Sequence, residues 1–258
     1  MAYGRKNECS QRESHGRSIR NVDPGWRPDR QPARVRRDAP YRRRRLGPAA
    51  DRAEAVRVLR RAAELGVNFI DTADSYGPYV SEEIIHEALH PYTGLVIATK
   101  AGLLRTGPGV WVPLGNPSYL RQECEMSLRR LGVDAIDLFQ LHRIDRNYPL
   151  ADQVGELLAL KNEGKIRHIG LSEIDVDQLE AAQQITEIVS VQNMYNLAAR
   201  GAEPLLEAAT SQGIAFIPWF PLASARWRRR TVRCARSPTI ITRRRRSSPW
   251  RGYSSGRR

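Results

Sequence analysis

Apolar residues recur in two alternating patterns along this chain, beginning near residue 49. Ala55, Val58, Leu59, Ala62 and Leu65 fall at helical spacing, so Ala49 to Leu65 reads as a helix closed by Gly66. Val67 to Ala73 is a short apolar run with an aromatic and β-branched residues, the composition of a buried strand, and Gly77-Pro78 breaks the chain after it. A helix capped by Ser81 is expected next, ending before Pro91. Leu95 to Thr99 reads as a strand closed by Lys100, and residues 101 to 118, rich in Gly and Pro, as a long loop. The alternation continues with helices at Pro117 to Leu131, Leu150 to Asn162, Asp175 to Ile185 and Glu203 to Ser211. Strands are expected at Ala135 to Leu141, Ile166 to Leu171, Val189 to Met194 and Ile214 to Phe220.

Six strands, each preceded by a helix, imply stacked βα units and a parallel sheet. A repeat of about 25 to 35 residues suits a (β/α)8 TIM-type barrel, with a doubly wound open sheet as the alternative. No G-x-G-x-x-G follows any strand, which counts against a dinucleotide fold of the doubly wound kind. A barrel closes with eight strands, so a barrel reading leaves its first and last strands unrecognised.

Composition divides the chain. The formal net charge is +14, yet residues 47 to 225 hold 15 Lys and Arg against 23 Asp and Glu. The excess lies in residues 1 to 46 and 226 to 258, where Arg42 to Arg45 and Arg243 to Arg246 form runs. These flanks have no apolar periodicity and are expected to be basic, disordered segments around a barrel domain at 47–225. Their Arg, Pro and Ser content fits GC-rich coding sequence read out of frame, which a look at the alternative frames would test. Cys9, Cys124 and Cys234 show no paired spacing, so neither a disulfide framework nor a cysteine metal site is expected. No apolar run approaches transmembrane length and the charged N-terminus lacks a signal peptide's apolar region, so a cytoplasmic location is expected.

In a barrel the carboxyl ends of the strands face one mouth. Here those ends bring Asp71 with Tyr76, Lys100, His142, Ser172 with Glu173, Gln192, and Trp219 with Phe220. A tyrosine, with an ordinary pKa of about 10, serves as a general acid when a nearby cation stabilises its phenolate. Lys100 is placed to do this, Asp71 to hold Lys100, and His142 to hydrogen-bond a substrate carbonyl. Such a set protonates an oxygen during carbonyl reduction. It supplies no hydride, so a redox cofactor is required.

Six motifs carry a resemblance over residues 51 to 223. They are Gly-Val-Asn-Phe-Ile-Asp-Thr-Ala-Asp-Ser-Tyr-Gly (66–77), Ile-Ala-Thr-Lys (97–100), Asp-Leu-Phe-Gln-Leu-His (137–142), Gly-Lys-Ile-Arg-His-Ile-Gly-Leu-Ser (164–172), Val-Gln-Asn-Met-Tyr-Asn (191–196) and Pro-Trp-Phe-Pro-Leu (218–222). In this order and spacing the chain resembles the aldo-keto reductase family. The resemblance implies a (β/α)8 barrel and NADPH-dependent reduction of a small aldehyde or ketone, with a tetrad of Asp71, Tyr76, Lys100 and His142 and Tyr76 as proton donor. It implies that Ser172 and Gln192 bind the nicotinamide carboxamide and that Trp219 stacks on the nicotinamide ring, with Glu173, Phe220, Pro221 and Leu222 completing the cofactor-binding set. Glu173 stands where many members have Asn. The residues that grip the adenosine phosphate in the family are not recognisable after Ala225, so weak NADPH binding and low activity are expected.

Two other signals are set aside. His86-Glu87-Ala88-Leu89-His90 fits H-E-x-x-H, but Pro91 ends the helix at once and Thr93 stands where the extended motif needs Gly. No metal is therefore expected. The Arg runs suit salt-sensitive, non-specific attraction to nucleic acid or other polyanions, which makes a catalytically weak barrel with polyanion-binding tails the alternative function. Charge blocks are more often solvated tails, and neither a specific nucleic acid nor a membrane is expected as a partner.

Overall fold

The computed structural model describes residues 46 to 47 and 49 to 222. The expected basic segments at 1–46 and 226–258 lie outside the described residues, Leu46 apart. The chain runs α1 (Arg52–Glu64), β1 (Phe69–Asp71), α2 (Val80–Leu89), β2 (Val96–Ala101), β3 (Leu103–Gly107), β4 (Val110–Pro113), α3 (Pro117–Leu131), β5 (Ile136–Leu141), α4 (Leu150–Asn162), β6 (Ile166–Ser172), α5 (Val176–Gln183), β7 (Ser190–Gln192), α6 (Glu203–Ser211) and β8 (Ala215–Phe216). Six of these strands form one parallel sheet in the order β1-β2-β5-β6-β7-β8.

Local chemistry sets several boundaries. The Asp51 carboxylate accepts the Glu54 N–H at 2.7 Å and caps α1. Asn116 caps α3 in the same way, with Pro117 in the first turn and Gly132 in the left-handed conformation at its end. Asp175 lies outside α5 as its N-cap and forms a reciprocal capping box with Gln178. Ser81, expected to cap α2, lies inside the helix instead. Its hydroxyl accepts from Thr72 Oγ1 at 2.8 Å, and the cap position is held by Tyr79 with φ 67° and no side-chain bond to the helix's first turn.

The second difference is the segment 101–118. It is a β-hairpin, β3 pairing antiparallel with β4, and not an irregular loop. Gly107-Pro108-Gly109 supplies the turn, and Leu103-Leu104 and Val110-Trp111-Val112 supply short strands too brief for a periodicity to register. β2 also runs through Lys100 to Ala101, so Lys100 lies within the strand and not beyond it.

Alternation along the strands divides the core into two layers. Ile70, Ile97, Phe139, Leu141, Ile169, Leu171 and Val191 belong to one cluster with Leu120, Leu131, Leu157 and Leu160 of the covering helices. Phe69, Val96, Ala98, Leu138 and Ile217 form a second. The sheet is curled, as a barrel wall is. β1 and β7 stand four strand spacings apart, roughly 19 Å in a flat sheet at about 4.8 Å per spacing. Yet Gln192 Nε2 donates to Asp71 Oδ1 at 3.0 Å. A flat, doubly wound sheet does not bring these side chains together. The six βα units are those of an incomplete (β/α)8 barrel among the described residues.

Candidate active site

The parity that puts Phe69, Ala98 and Leu138 inside the curl also puts Asp71, Lys100 and Gln140 there, one step toward the carboxyl ends of β1, β2 and β5. The register aligns Lys100 with Gln140, Gln140 with Gly170, Gly170 with Ser190, and Ser172 with Gln192. Gly170 has to be glycine: a Cβ there would lie 2.3 Å from Ser190 Oγ and 2.9 Å from Gln140 Cγ.

Asp71 is the hub of the cluster. Its carboxylate lies 2.9 Å from Lys100 Nζ, both side chains being fully buried. Gln140 Nε2 and Gln192 Nε2 donate to its Oδ1 at 3.1 and 3.0 Å. Lys100 Nζ also donates to the Thr72 carbonyl at 2.6 Å and lies 5.3 Å from the centre of the Tyr76 ring. The half-buried Tyr76 ring meets the His142 imidazole edge-on, with 5.9 Å between centroids. His142 is buried, its Nδ1 lies 3.4 Å from Ser75 Oγ, and its backbone N–H donates to Ala101 O at 2.7 Å. The four residues expected to form a tetrad therefore share one cluster.

The expected cofactor residues sit along β6, β7 and β8. Ser172 Oγ donates to the Gln192 carbonyl at 3.0 Å and accepts from Arg143 at 3.2 Å. Glu173 follows with φ 57°. One carboxylate oxygen of Glu173 accepts from the Met194 N–H at 2.8 Å and from the Trp219 indole N–H. A Met194–Trp219 bridge extends the β7–β8 edge, and the Trp219 and Phe220 rings pack edge-on at 5.7 Å. Phe220 O accepts from Asn196 Nδ2 at 3.2 Å. Pro221 and Leu222 are exposed, and neither joins the cluster.

Sequence reasoning passed over Gln140, Asp74, Ser75 and Arg143. Gln140 carried a signal, a polar residue inside the apolar run Leu138-Phe139-Gln140-Leu141. Asp74 is 1% exposed. Its carboxyl is pushed up to about 8, first by burial and then by the carboxylates of Glu82 and Glu123, against the Ser75 N–H. Arg143 bridges His142 and Ser172, donating to the His142 carbonyl at 2.6 Å.

The H-E-x-x-H pair faces elsewhere. His86 Nδ1 donates to Leu131 O at 3.0 Å, between α2 and α3. Among the described residues no group of three or more His, Cys, Asp or Glu is arranged to hold a metal ion, and no helix is long and apolar enough to cross a membrane.

The model of the aldo/keto reductase family matches residues 44 to 248. An uncharacterized oxidoreductase of Schizosaccharomyces pombe is 58% identical over 174 residues, 67% of this chain and 57% of that protein. A pyridoxine 4-dehydrogenase of Escherichia coli is 41% identical over 184 residues, 69% of this chain and 64% of that protein. An aldo-keto reductase from Klebsiella pneumoniae solved in complex with NADPH superposes with a TM-score of 0.58 at 31% identity, over 68% of this chain and 60% of that one. The chain thus spans less than two thirds of the length of these relatives. A family model that matches most of the sequence, and the curled parallel sheet that bears the clustered strand-end residues, lead to one assignment: this chain belongs to the aldo/keto reductase family.

Proposed function

We propose that this chain reduces a small aldehyde or ketone to its alcohol at the expense of NADPH, in the cytoplasm, with Tyr76 as the proton donor. The observation that carries this reading is the buried Asp71–Lys100 pair set against the Tyr76 ring, with His142 on that ring's other contact. Asp71 holds the ammonium, and Gln140 and Gln192 hold Asp71. An ammonium fixed beside the ring stabilises the phenolate that forms as Tyr76 gives its proton to the carbonyl oxygen. His142 orients that oxygen.

The chemistry of the side chains fits the nicotinamide end of the cofactor. Ser172 and Gln192 stand in register on neighbouring strands, a hydroxyl beside an amide, and Trp219 offers a flat aromatic surface one strand further on. When bound, the reduced dinucleotide supplies the hydride. Glu173 holds the Trp219 indole and the Met194 N–H, so the carboxylate that replaces the usual Asn positions the aromatic. The two curated relatives carry oxidoreductase names, one of them for pyridoxine oxidation, and the Klebsiella pneumoniae neighbour was solved with NADPH. These support a nicotinamide-dependent reaction on a small carbonyl or alcohol. The family's adenosine-phosphate residues are not recognisable after Ala225, a part of the sequence outside the described residues.

The test is NADPH consumption by the full chain across a panel of aldehydes and ketones, with NADH in parallel. Slow, carbonyl-dependent consumption of the reduced cofactor is the expected result. Consumption with no panel member, by a preparation that binds NADPH, would overturn the proposal.

A further inference from the structure

Tyr76 belongs to a short segment between β1 and α2 that also carries the buried carboxyl of Asp74. The Asp74 carboxylate accepts the Ser75 N–H and, at 3.3 Å, the Tyr119 hydroxyl of α3. Its backbone N–H donates to Lys100 O at 3.1 Å and its carbonyl accepts from Tyr79 N–H at 2.6 Å, so it ties the segment to β2 and to the start of α2. Ser75, held in this way, places its hydroxyl 3.4 Å from His142 Nδ1.

We propose that Asp74 is a positioning residue, its buried carboxyl fixing the Tyr76-bearing segment and setting, through Ser75, the Nδ1 side of His142. The inference rests on the reductase reading for its catalytic consequence, and on geometry alone for the coupling itself.

The groups around Asp74 make its charge state consequential. From α2 it faces Glu82, and from α3 Glu123 and Tyr119, with Tyr79 at the junction. Arg130 is shared by two carboxylates, at 2.5 Å from Glu82 and 3.5 Å from Glu123. One guanidinium against two carboxylates leaves the pocket facing Asp74 with a net negative charge, so a third carboxylate has no counter-charge of its own. Burial and these neighbours hold Asp74 as the neutral acid until about pH 8. In that form Oδ1 still accepts the Ser75 N–H, and the other oxygen shares its proton with the Tyr119 hydroxyl. Ionisation turns both oxygens into pure acceptors, which alters the hold on Ser75 and is passed to His142.

The experiment follows the His142 imidazole by NMR in histidine-labelled full-length protein as a function of pH, its signal identified by its absence from His142→Gln. The chain has 5 histidines, so the spectrum is simple. The proposal predicts an inflection of the His142 signal at about pH 8 that disappears in Asp74→Asn, while the pH curves of the other histidine signals are the same in both proteins. It also predicts that the ratio of carbonyl reduction at about pH 9 to that at about pH 7 shifts by roughly threefold or more in the same variant. Ser75→Ala breaks the relay without touching the carboxyl, and it too should remove the inflection, which covers the case of an Asp74 variant that folds badly. An inflection that persists in both variants, or its absence from the parent, would overturn the proposal. Loss of the inflection in a protein that reduces no carbonyl overturns the reductase reading and upholds the coupling.

Discussion

Asp71 and Lys100 are an ion pair with no solvent contact, and such pairs are costly to break one partner at a time. Lys100→Met leaves a buried carboxylate beside the Gln140 and Gln192 amides with its ammonium partner gone. The expected loss is about 3–5 kcal/mol of stability by denaturant unfolding, and a loss under about 1 kcal/mol would show that Asp71 becomes protonated or hydrated at little cost. Why the pair was readable from sequence while its supports were not is a matter of position. Asp71, Lys100 and His142 close apolar runs and so announce themselves, and Tyr76 follows at a chain break. Gln140 lies inside a run, and Asp74 lies in a polar segment where burial has no periodic signature. Glu82 and Glu123 were not singled out from the sequence, and both are buried against Arg130.

At the scale of elements, hydrophobic spacing located α3, α4 and α6 with the boundaries the structure shows, because Pro117, Gly132, Gly164 and Gly213 punctuate them. The parallel strands were found but drawn too long at β1, β7 and β8, which are only two or three residues long. Leu157, fully buried on α4 beneath the sheet, tests this packing: Leu157→Ala should cost about 2–5 kcal/mol without moving the site. A cost near zero would mean that the α4–sheet contact carries little of the fold. The β3–β4 hairpin is the element sequence reasoning misjudged, and it stands beside the mouth. Its base is pinned where Asp145 Oδ2 accepts the Gly115 N–H at 3.1 Å and Gln153 Oε1 accepts the Asp145 N–H at 3.0 Å. Burial pushes the Asp145 carboxyl up, but the N–H groups of Asn147 and Gly115 outweigh it and hold the group below the usual range. Trp111 lies on this hairpin, half-exposed, with the Arg105 guanidinium 4.3 Å from its ring centre. If the hairpin shapes the substrate's approach, Trp111→Ala raises KM for the carbonyl several-fold and leaves the Kd for NADPH as it was. An equal change in both would place Trp111 outside the substrate path.

For the whole molecule, the buried Asp74 gives a pH dependence with a definite sign. Its pKa is 3.8 as the ordinary value and about 8 in the fold. Between these limits the folded state binds more protons than the unfolded one, so this group's contribution is complete below about pH 4 and is lost as pH rises through about 8. The slope reaches at most about 1.4 kcal/mol per pH unit. Stability measured from about pH 5 to pH 8 should therefore fall more steeply in the parent than in Asp74→Asn, and parallel curves would contradict the burial argument. The global fold was legible because βα alternation is a long-range pattern that survives local error. The curl of the sheet was expected from the length of the repeat, and Gln192 reaching Asp71 across four strand spacings bears it out.

The central claim, proton transfer from Tyr76 to a carbonyl, is tested most directly by single-turnover reduction in Tyr76→Phe, with NADPH binding measured on the same preparation by fluorescence titration. The phenolic hydroxyl is the only group the substitution removes. A fall of about 10²- to 10⁴-fold in the reduction rate with NADPH affinity preserved is the expected result. Reduction near the parental rate with NADPH still bound would contradict it.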